Sequence, residues 1–292
     1  MNTPARTASA VIRTMRPRQW TKNTLVLAAP LAAGLTWTTG IVLDVVATFV
    51  AFTLAAAGIY LLNDVIDAED DRRHPTKRNR PVASGELSST LALACSGVCA
   101  ALGIGIGYAV APQLAATLIL YALLQIAYAV GLKRQPVIDL SIVAAGFLLR
   151  AIAGGVAVDV PLSQWFLLVA AFGSLFMVAG KRYSELRSLG SAAGTRKTLE
   201  TYSESYLRFV WSLAAAVTIT AYSLWAFEIS SHAEINWQAI SIAPFVVGLL
   251  RYAVDVDRGL AGEPEEAVLR DPALQVLGAV WLIIFATGVY AS

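Results

Sequence analysis

"NDVIDAEDDRRHPTKRNRP", Asn63 to Pro81, holds five carboxylates, five Lys/Arg side chains and one His. Immediately before it runs "VVATFVAFTLAAAGIYLL", residues 45–62, and after it comes a long Ala/Leu/Val/Gly segment. Charge of both signs is thus concentrated where an apolar segment ends. What surrounds it sets the class of protein. Of 292 residues, 57% are apolar and 14% charged, where a soluble domain carries about 25% charged. A soluble fold cannot hide that much apolar surface, so the composition implies an all-α integral membrane protein. The first 23 residues lack a continuous apolar stretch and a small-residue cleavage site, so no signal peptide is expected. Cys95 and Cys99 are four apart in an apolar run and read as small hydrophobes on one helix face.

A membrane helix needs roughly 20 apolar residues. Nine candidates follow, near 24–40, 42–62, 88–110, 113–131, 138–157, 163–180, 207–229, 237–253 and 273–291. Pro30 and Pro244 make the first and eighth the weakest. With a cytoplasmic N-terminus, the inside segments are 1–23, 63–87, 132–137, 181–206 and 254–272, and they hold 19 of the 22 Lys/Arg residues. The outside connections hold none, as the positive-inside rule requires. The expected arrangement is a cytoplasmic segment 1–23 followed by one polytopic domain, 24–292, in the inner (plasma) membrane. Its nine helices would surround a central cavity open to the cytoplasm. The stretch 188–205 reads as a Gly/Ser-rich loop that could act as a lid.

If the apolar helix continues into "NDVIDAEDD", then Asp64, Asp67 and Asp71 stand at i, i+3 and i+7 on one face, with Asn63 on nearly the same stripe. Like charges there repel, and more so near hydrocarbon. Oxygen ligands without His or Cys suit a hard cation, and Mg2+ commonly takes one or two carboxylates plus substrate phosphates. The plainer alternative is a hydrated helix end whose acids pair with the five basic residues downstream. Arg72, Arg73, Lys77, Arg78 and Arg80 could in turn face lipid headgroups or clamp phosphate oxygens. Other polar groups fall on the same predicted side: Arg16, Arg18 and Lys22; Tyr128, Lys133 and Arg134; Asp139; Lys181, Arg182, Tyr183, Glu185 and Arg187. Arg150 lies mid-span, where an Arg is a functional or pairing residue by default.

These stretches, "NDVIDAEDDRRHPTKRNRP" with "RPRQWTKN" before it and "YAVGLKRQP" after it, resemble the UbiA-type intramembrane prenyltransferases. The similarity runs from about residue 14 to the C-terminus, and nine helices is also that family's architecture. The family motif Asn-Asp-x-x-Asp-x-x-x-Asp is matched by Asn63, Asp64, Asp67 and Asp71. The resemblance implies that these residues hold Mg2+ on a diphosphate, and that Arg80 and Lys133 contact that diphosphate. One departure is informative. Where the family has a second Asp-x-x-x-Asp, this chain has "KRYSE", with Lys181 at the first Asp position and Glu185 at the second. Cations there suit an additional phosphate. In this feature and in "RPRQWTKN" the chain resembles the decaprenyl-phosphate phosphoribosyltransferase branch.

That branch implies transfer of 5-phosphoribosyl from phosphoribosyl pyrophosphate to a polyprenyl phosphate, with release of diphosphate, for cell-wall arabinan precursors. An anionic nucleophile needs no general base, and the two His are placed accordingly: His74 reads as a loop residue and His232 falls outside. Asp67 and Asp71, assisted by Asp64 or Asn63, would bear the metal and the leaving group; Arg80 and Lys133 would clamp its oxygens. Lys22, Tyr128 and Arg134 join the substrate contacts. Lys181, Arg182 and Tyr183 are assigned to the 5-phosphate or the lipid phosphate, and Glu185 to a second Mg2+ or a ribose hydroxyl. Membrane lipids are partners, nucleic acid is not, and the pattern is compatible with a homo-oligomer. Two alternatives stand beside this reading: an aromatic prenyltransferase using a polyprenyl diphosphate donor, and a transporter of anionic solutes. The second suffers from the absence of an internal repeat and from polar residues gathered at one face.

Overall fold

The computed structural model describes residues 4–189, 201–228 and 235–290. Every regular element among them is helical. Helix α1 (Pro4–Thr14) leads into a 3-10 helix (Pro17–Leu27) and the short α2 (Ala28–Ala32). The long α3 (Thr39–Ile66) is followed by α4 (Ala68–Arg73), α5 (Ser89–Val110) and α6 (Pro112–Val130). Then come α7 (Ile138–Ala157), α8 (Gln164–Leu189), α9 (Glu204–Glu228), α10 (Trp237–Asp257), α11 (Pro264–Arg270) and α12 (Pro272–Tyr290). Local chemistry sets several starts: the Thr38 and Ser88 hydroxyls accept the N–H groups of Ile41 and Leu91, and Pro112 occupies the first turn of α6.

Eight of these helices are long and apolar enough to cross a membrane: α3, α5 to α10 and α12. They match the second to ninth predicted spans, and Pro244 sits inside α10 without ending it. The first predicted span, 24–40, is not a single helix. Its N-terminal part belongs to the 3-10 helix, α2 ends at Ala32, and Gly34 turns the chain at a φ of 64°. Leu43, Val46, Leu102, Leu123, Leu282 and Ile283 are exposed on these helices, the outward apolar face of a multi-pass membrane protein. Of the segments read from sequence, His232 and the 190–200 part of the proposed lid lie outside the described residues.

The chain divides into two compact units. The first comprises residues 1–31, 35–132 and 149–161. Its α3 packs against α5 where a Cβ on Gly103 would come within 2.8 Å of the Ala51 carbonyl. Backbone contact is closer still at Gly154 of α7, where a Cβ would lie 1.8 Å from the Val26 carbonyl. One turn away, the buried Arg150 donates from Nε to Asn23 Oδ1 at 2.7 Å and from a terminal nitrogen to Tyr121 Oη at 3.1 Å. Its guanidinium lies 4.9 Å from the Tyr121 ring centroid and 5.4 Å from that of Phe52. Asn23 in turn donates to the Thr53 hydroxyl. The intramembrane Arg thus ties the 3-10 segment to α3, α6 and α7.

The second unit comprises residues 32–34, 133–148 and 162–292. Here α8 packs on α9 and α10 on α12, around a core that includes Phe176, Tyr183, Leu207, Tyr252 and Val256. A separate aromatic cluster contains Tyr222, Trp225, Phe245, Trp281 and Phe285. The Trp281 indole donates to Tyr222 Oη at 2.8 Å, satisfying the polar edges of buried rings.

The close approach at Gly154 yields a stability prediction. Gly154→Ala is expected to cost about 1–3 kcal/mol by forcing the two backbones apart. Gly97→Ala, whose Cβ meets nothing within 4 Å, is expected to leave stability unchanged or improved. Thermal unfolding of the two variants in detergent checks this.

Candidate active site

In the first unit the acidic motif straddles a helix break. Helix α3 ends at Ile66, Asp67 occupies the junction at φ −89° and ψ 1°, and α4 resumes at Ala68. The helical hydrogen-bond pattern nevertheless continues, Asp67 N–H to Asn63 carbonyl at 2.9 Å and Asp71 N–H to Asp67 carbonyl at 2.8 Å. The shared face expected for the acids therefore survives the break in part. Asp64 and Asp71 are buried, at 2% and 4% exposure, and Asp67 and Asn63 are half-buried. Glu69 and Asp70 point outward, and Glu69 is spent on an exposed pair with Arg73.

Two guanidinium groups meet the buried acids. Arg80 bridges them, with NH1 2.7 Å from Asp71 Oδ2 and 3.4 Å from Asp64 Oδ1. Arg16 donates to the same Asp64 oxygen at 2.5 Å while lying over the Tyr60 ring at 4.9 Å. Arg16 has a φ of 55°, a left-handed conformation rare for a residue with a Cβ. Sequence reasoning placed Arg16 on this side of the membrane but did not make it a site residue. The only signal was its position next to Pro17, where the α region is disfavoured.

The loop that returns Arg80 to the acids is built locally. The Thr76 and Lys77 N–H groups both donate to His74 Nδ1 at 3.3 Å, so His74 is a turn residue, as its sequence context suggested. Arg72 Nε donates to the Ala83 carbonyl at 3.1 Å. Lys22 is half-buried in the 3-10 helix, and Tyr128 is half-buried near the end of α6.

Among the described residues no three His, Cys, Asp or Glu side chains form a closed metal cage. The donor set still fits Mg2+, which takes few carboxylates and completes its shell with phosphate and water. Asp64 and Asp71 are drawn to one guanidinium and present oxygen donors alone.

The second unit gathers the other predicted residues. Arg182, 4% exposed, donates to Glu185 Oε2 at 3.1 Å, and its Nε stands 3.6 Å from Oδ2 of Asp139, itself 1% exposed. Lys181 lies 3.0 Å from Glu263 and 4.0 Å from Glu185. Tyr183 turns to a different helix face. It is fully buried, its hydroxyl donating to Asp257 and receiving from Arg208 at 2.7 Å and Arg187 at 3.1 Å. It is therefore not brought together with Lys181, Arg182 and Glu185. Lys133, half-buried, and Arg134, exposed, occupy the turn before α7. Val137 in that turn has a φ of 69°, a strain of about 1–3 kcal/mol.

Tyr202 completes this cluster. Its hydroxyl donates to Asp139 Oδ1 at 2.5 Å and accepts the Val137 N–H at 2.6 Å. Burial, and then the bond to Asp139, push its phenol above the usual range, so it stays protonated across physiological pH. One helical turn into α7, an apolar groove of about 190 Å³ opens between α7 and α8 along Ser141, Ala144, Leu148, Phe172 and Leu175.

The sequence profile of the UbiA prenyltransferase family matches residues 25–270. The chain belongs to that family. Within it, the chain is 50% identical over 284 residues to the decaprenyl-phosphate phosphoribosyltransferase of Mycobacterium tuberculosis, covering 96% of this chain and 94% of that one. It is 47% identical over 294 residues to the Corynebacterium glutamicum enzyme of the same name, covering 98% and 89%. The solved UbiA homolog from Archaeoglobus fulgidus bound to GPP and Mg2+ aligns with a TM-score of 0.75 at 17% identity, over 97% of this chain and 100% of that one. That likeness establishes the shared fold.

The bridge by Arg80 is testable without any substrate. Arg80→Met leaves two buried carboxylates deprived of their common cation. It is expected to destabilise the protein toward the low end of the about 3–5 kcal/mol seen for broken buried pairs. Arg73→Met, at an exposed pair, is expected to change stability by less than about 0.5 kcal/mol, both read by thermal unfolding in detergent.

Proposed function

We infer that the protein transfers 5-phosphoribosyl from phosphoribosyl pyrophosphate to a polyprenyl phosphate, releasing diphosphate. The observation that carries this is near-50% identity, over almost the whole chain, to proteins named decaprenyl-phosphate phosphoribosyltransferase. The site supports it in kind: buried carboxylates for a hard cation, guanidinium groups for phosphate oxygens, and a hydrophobic surround for a lipid.

The nucleophile, a phosphate oxygen, is anionic at neutral pH and needs no base. His74 is engaged in its own turn. The difficult step is departure of diphosphate. Asp67 and Asp71, with Asp64 or Asn63, are assigned to Mg2+, which when bound neutralises charge developing on the leaving group. Arg80 and Lys133, with Lys22, Tyr128 and Arg134, are assigned to the donor's oxygens. Arg16, which already meets Asp64, joins them. Lys181 and Arg182 are assigned to the 5-phosphate or the lipid phosphate, and Glu185 to a ribose hydroxyl or a second Mg2+. Tyr183, with its hydroxyl committed to Asp257 and two Arg, is assigned to holding α8 in place. The groove between α7 and α8 suits an isoprenoid segment. Single displacement inverts the anomeric centre.

We extend the reading to nine crossings with a cytoplasmic N-terminus in the plasma membrane, and to a role in arabinan precursor synthesis. Eight long apolar helices support eight of these crossings, and the ninth rests on the apolar stretch 24–40.

The test offers purified protein two donor pairs with Mg2+. Labelled phosphoribosyl pyrophosphate and polyprenyl phosphate are expected to give labelled lipid; labelled polyprenyl diphosphate and an aromatic acid are expected to give none. Asp67→Ala is expected to lower the first rate by at least about 100-fold, and Asp70→Ala, at an outward position, by less than about threefold. Product only from the second pair would make the protein an aromatic prenyltransferase; silence from both would favour transport.

A further inference from the structure

The turn before α7 carries Lys133 and Arg134 and ends in a conformation that its own residues do not favour. Val137, β-branched, sits at φ 69°, a region that glycine enters freely and a β-branched residue almost never does. Something outside the turn has to hold it. Its N–H is bound by Tyr202 Oη at 2.6 Å, from a residue 65 positions away. The same oxygen donates to Asp139 Oδ1 at 2.5 Å. Asp139 faces Arg182 through its other oxygen, and Arg182 bonds Glu185. A single buried hydroxyl therefore joins the strained turn, the start of α7 and the charged pair on α8. The Tyr202 ring is itself fixed, stacked on Tyr206 at 5.7 Å and 5°.

We propose that Tyr202 is a positioning residue: through Val137 and Asp139 it holds the turn that presents Lys133 and Arg134, and it steadies Arg182, without touching substrate. This rests on the phosphoribosyl-transfer reading only where kinetics are used. The geometry itself stands on Tyr202, Val137 and Asp139.

The experiment pairs Tyr202→Phe, which keeps the stacked ring and removes both hydrogen bonds, with Tyr202→Phe/Val137→Gly, in which the left-handed turn no longer needs holding. Hydrogen–deuterium exchange is read on the full chain in detergent. Segment 132–139 is expected to be protected in the unmodified protein and to exchange faster in Tyr202→Phe, with residues 39–66 unchanged. In the transfer assay, KM for phosphoribosyl pyrophosphate is expected to rise about tenfold, the worth of roughly one hydrogen bond to a charged group, with kcat changed less than about threefold. The double variant is expected to recover at least half of that loss on a logarithmic scale. A residue needed only for folding would give no such recovery, since glycine adds disorder to the unfolded chain. Fast exchange of 132–139 in the unmodified protein overturns the proposal even if Tyr202→Phe fails to fold. So does unchanged exchange in the variant, an unchanged KM, or a loss that Val137→Gly does not relieve. An unmodified protein without transfer activity overturns the functional reading instead, and the exchange data still decide the role of Tyr202.

Discussion

Two carboxylates buried at the end of an apolar helix are the constraint to which the first unit is built. Removing Asp64 and Asp71 from water costs several kcal/mol each unless cations and hydrogen bonds stand against them. Arg80 stands against both and Arg16 against one. For Arg80 to reach them the chain must double back between residues 74 and 80, hence the His74-centred turn and the tie from Arg72 to Ala83. For Arg16 to reach Asp64 the N-terminal segment must run beside α3. That placement is secured by the Arg150–Asn23–Thr53 chain and by the backbone contact at Gly154. A cation buried within α7 thus serves an acidic cluster at the end of α3.

The same economy of charge has a chemical use. Guanidinium groups that compensate buried acids are also bidentate donors for phosphate. In the reaction proposed above, Arg16 and Arg80 would be cations of the right kind for diphosphate oxygens. In the second unit, Arg182 is shared between Asp139 and Glu185, and Lys181 between Glu185 and Glu263. This is the pattern of cations held in place by acids that bind them from the side. Tyr183, the middle residue of "KRYSE", does something different because a helix turns each residue by 100°. It points into the core and gives its hydroxyl to Arg187, Arg208 and Asp257.

Most of the fold was legible because its signals are local. Eight apolar segments announced eight long helices, and the spacing of Asp64, Asp67 and Asp71 marked one helix face. The first segment differs in form because it is divided between a 3-10 helix and a short α2 that stops before Gly34, which length and hydropathy describe poorly. Arg16 and Tyr202 were not legible as site residues. Arg16 is 48 positions from Asp64, and Tyr202 is 63 from Asp139, and no periodicity encodes such distances.

The sequence alone determined that the chain is a helical membrane protein, that its charges gather at one end of its spans, and which acids are spaced to share a cation. Each follows from composition or from intervals within a helical turn or two. Only the tertiary structure decided which base meets which acid, that Tyr183 serves the core, and that Tyr202 holds a strained turn. Those pairings form when helices distant in sequence pack together, and burial then obliges every charged or polar group to find a partner.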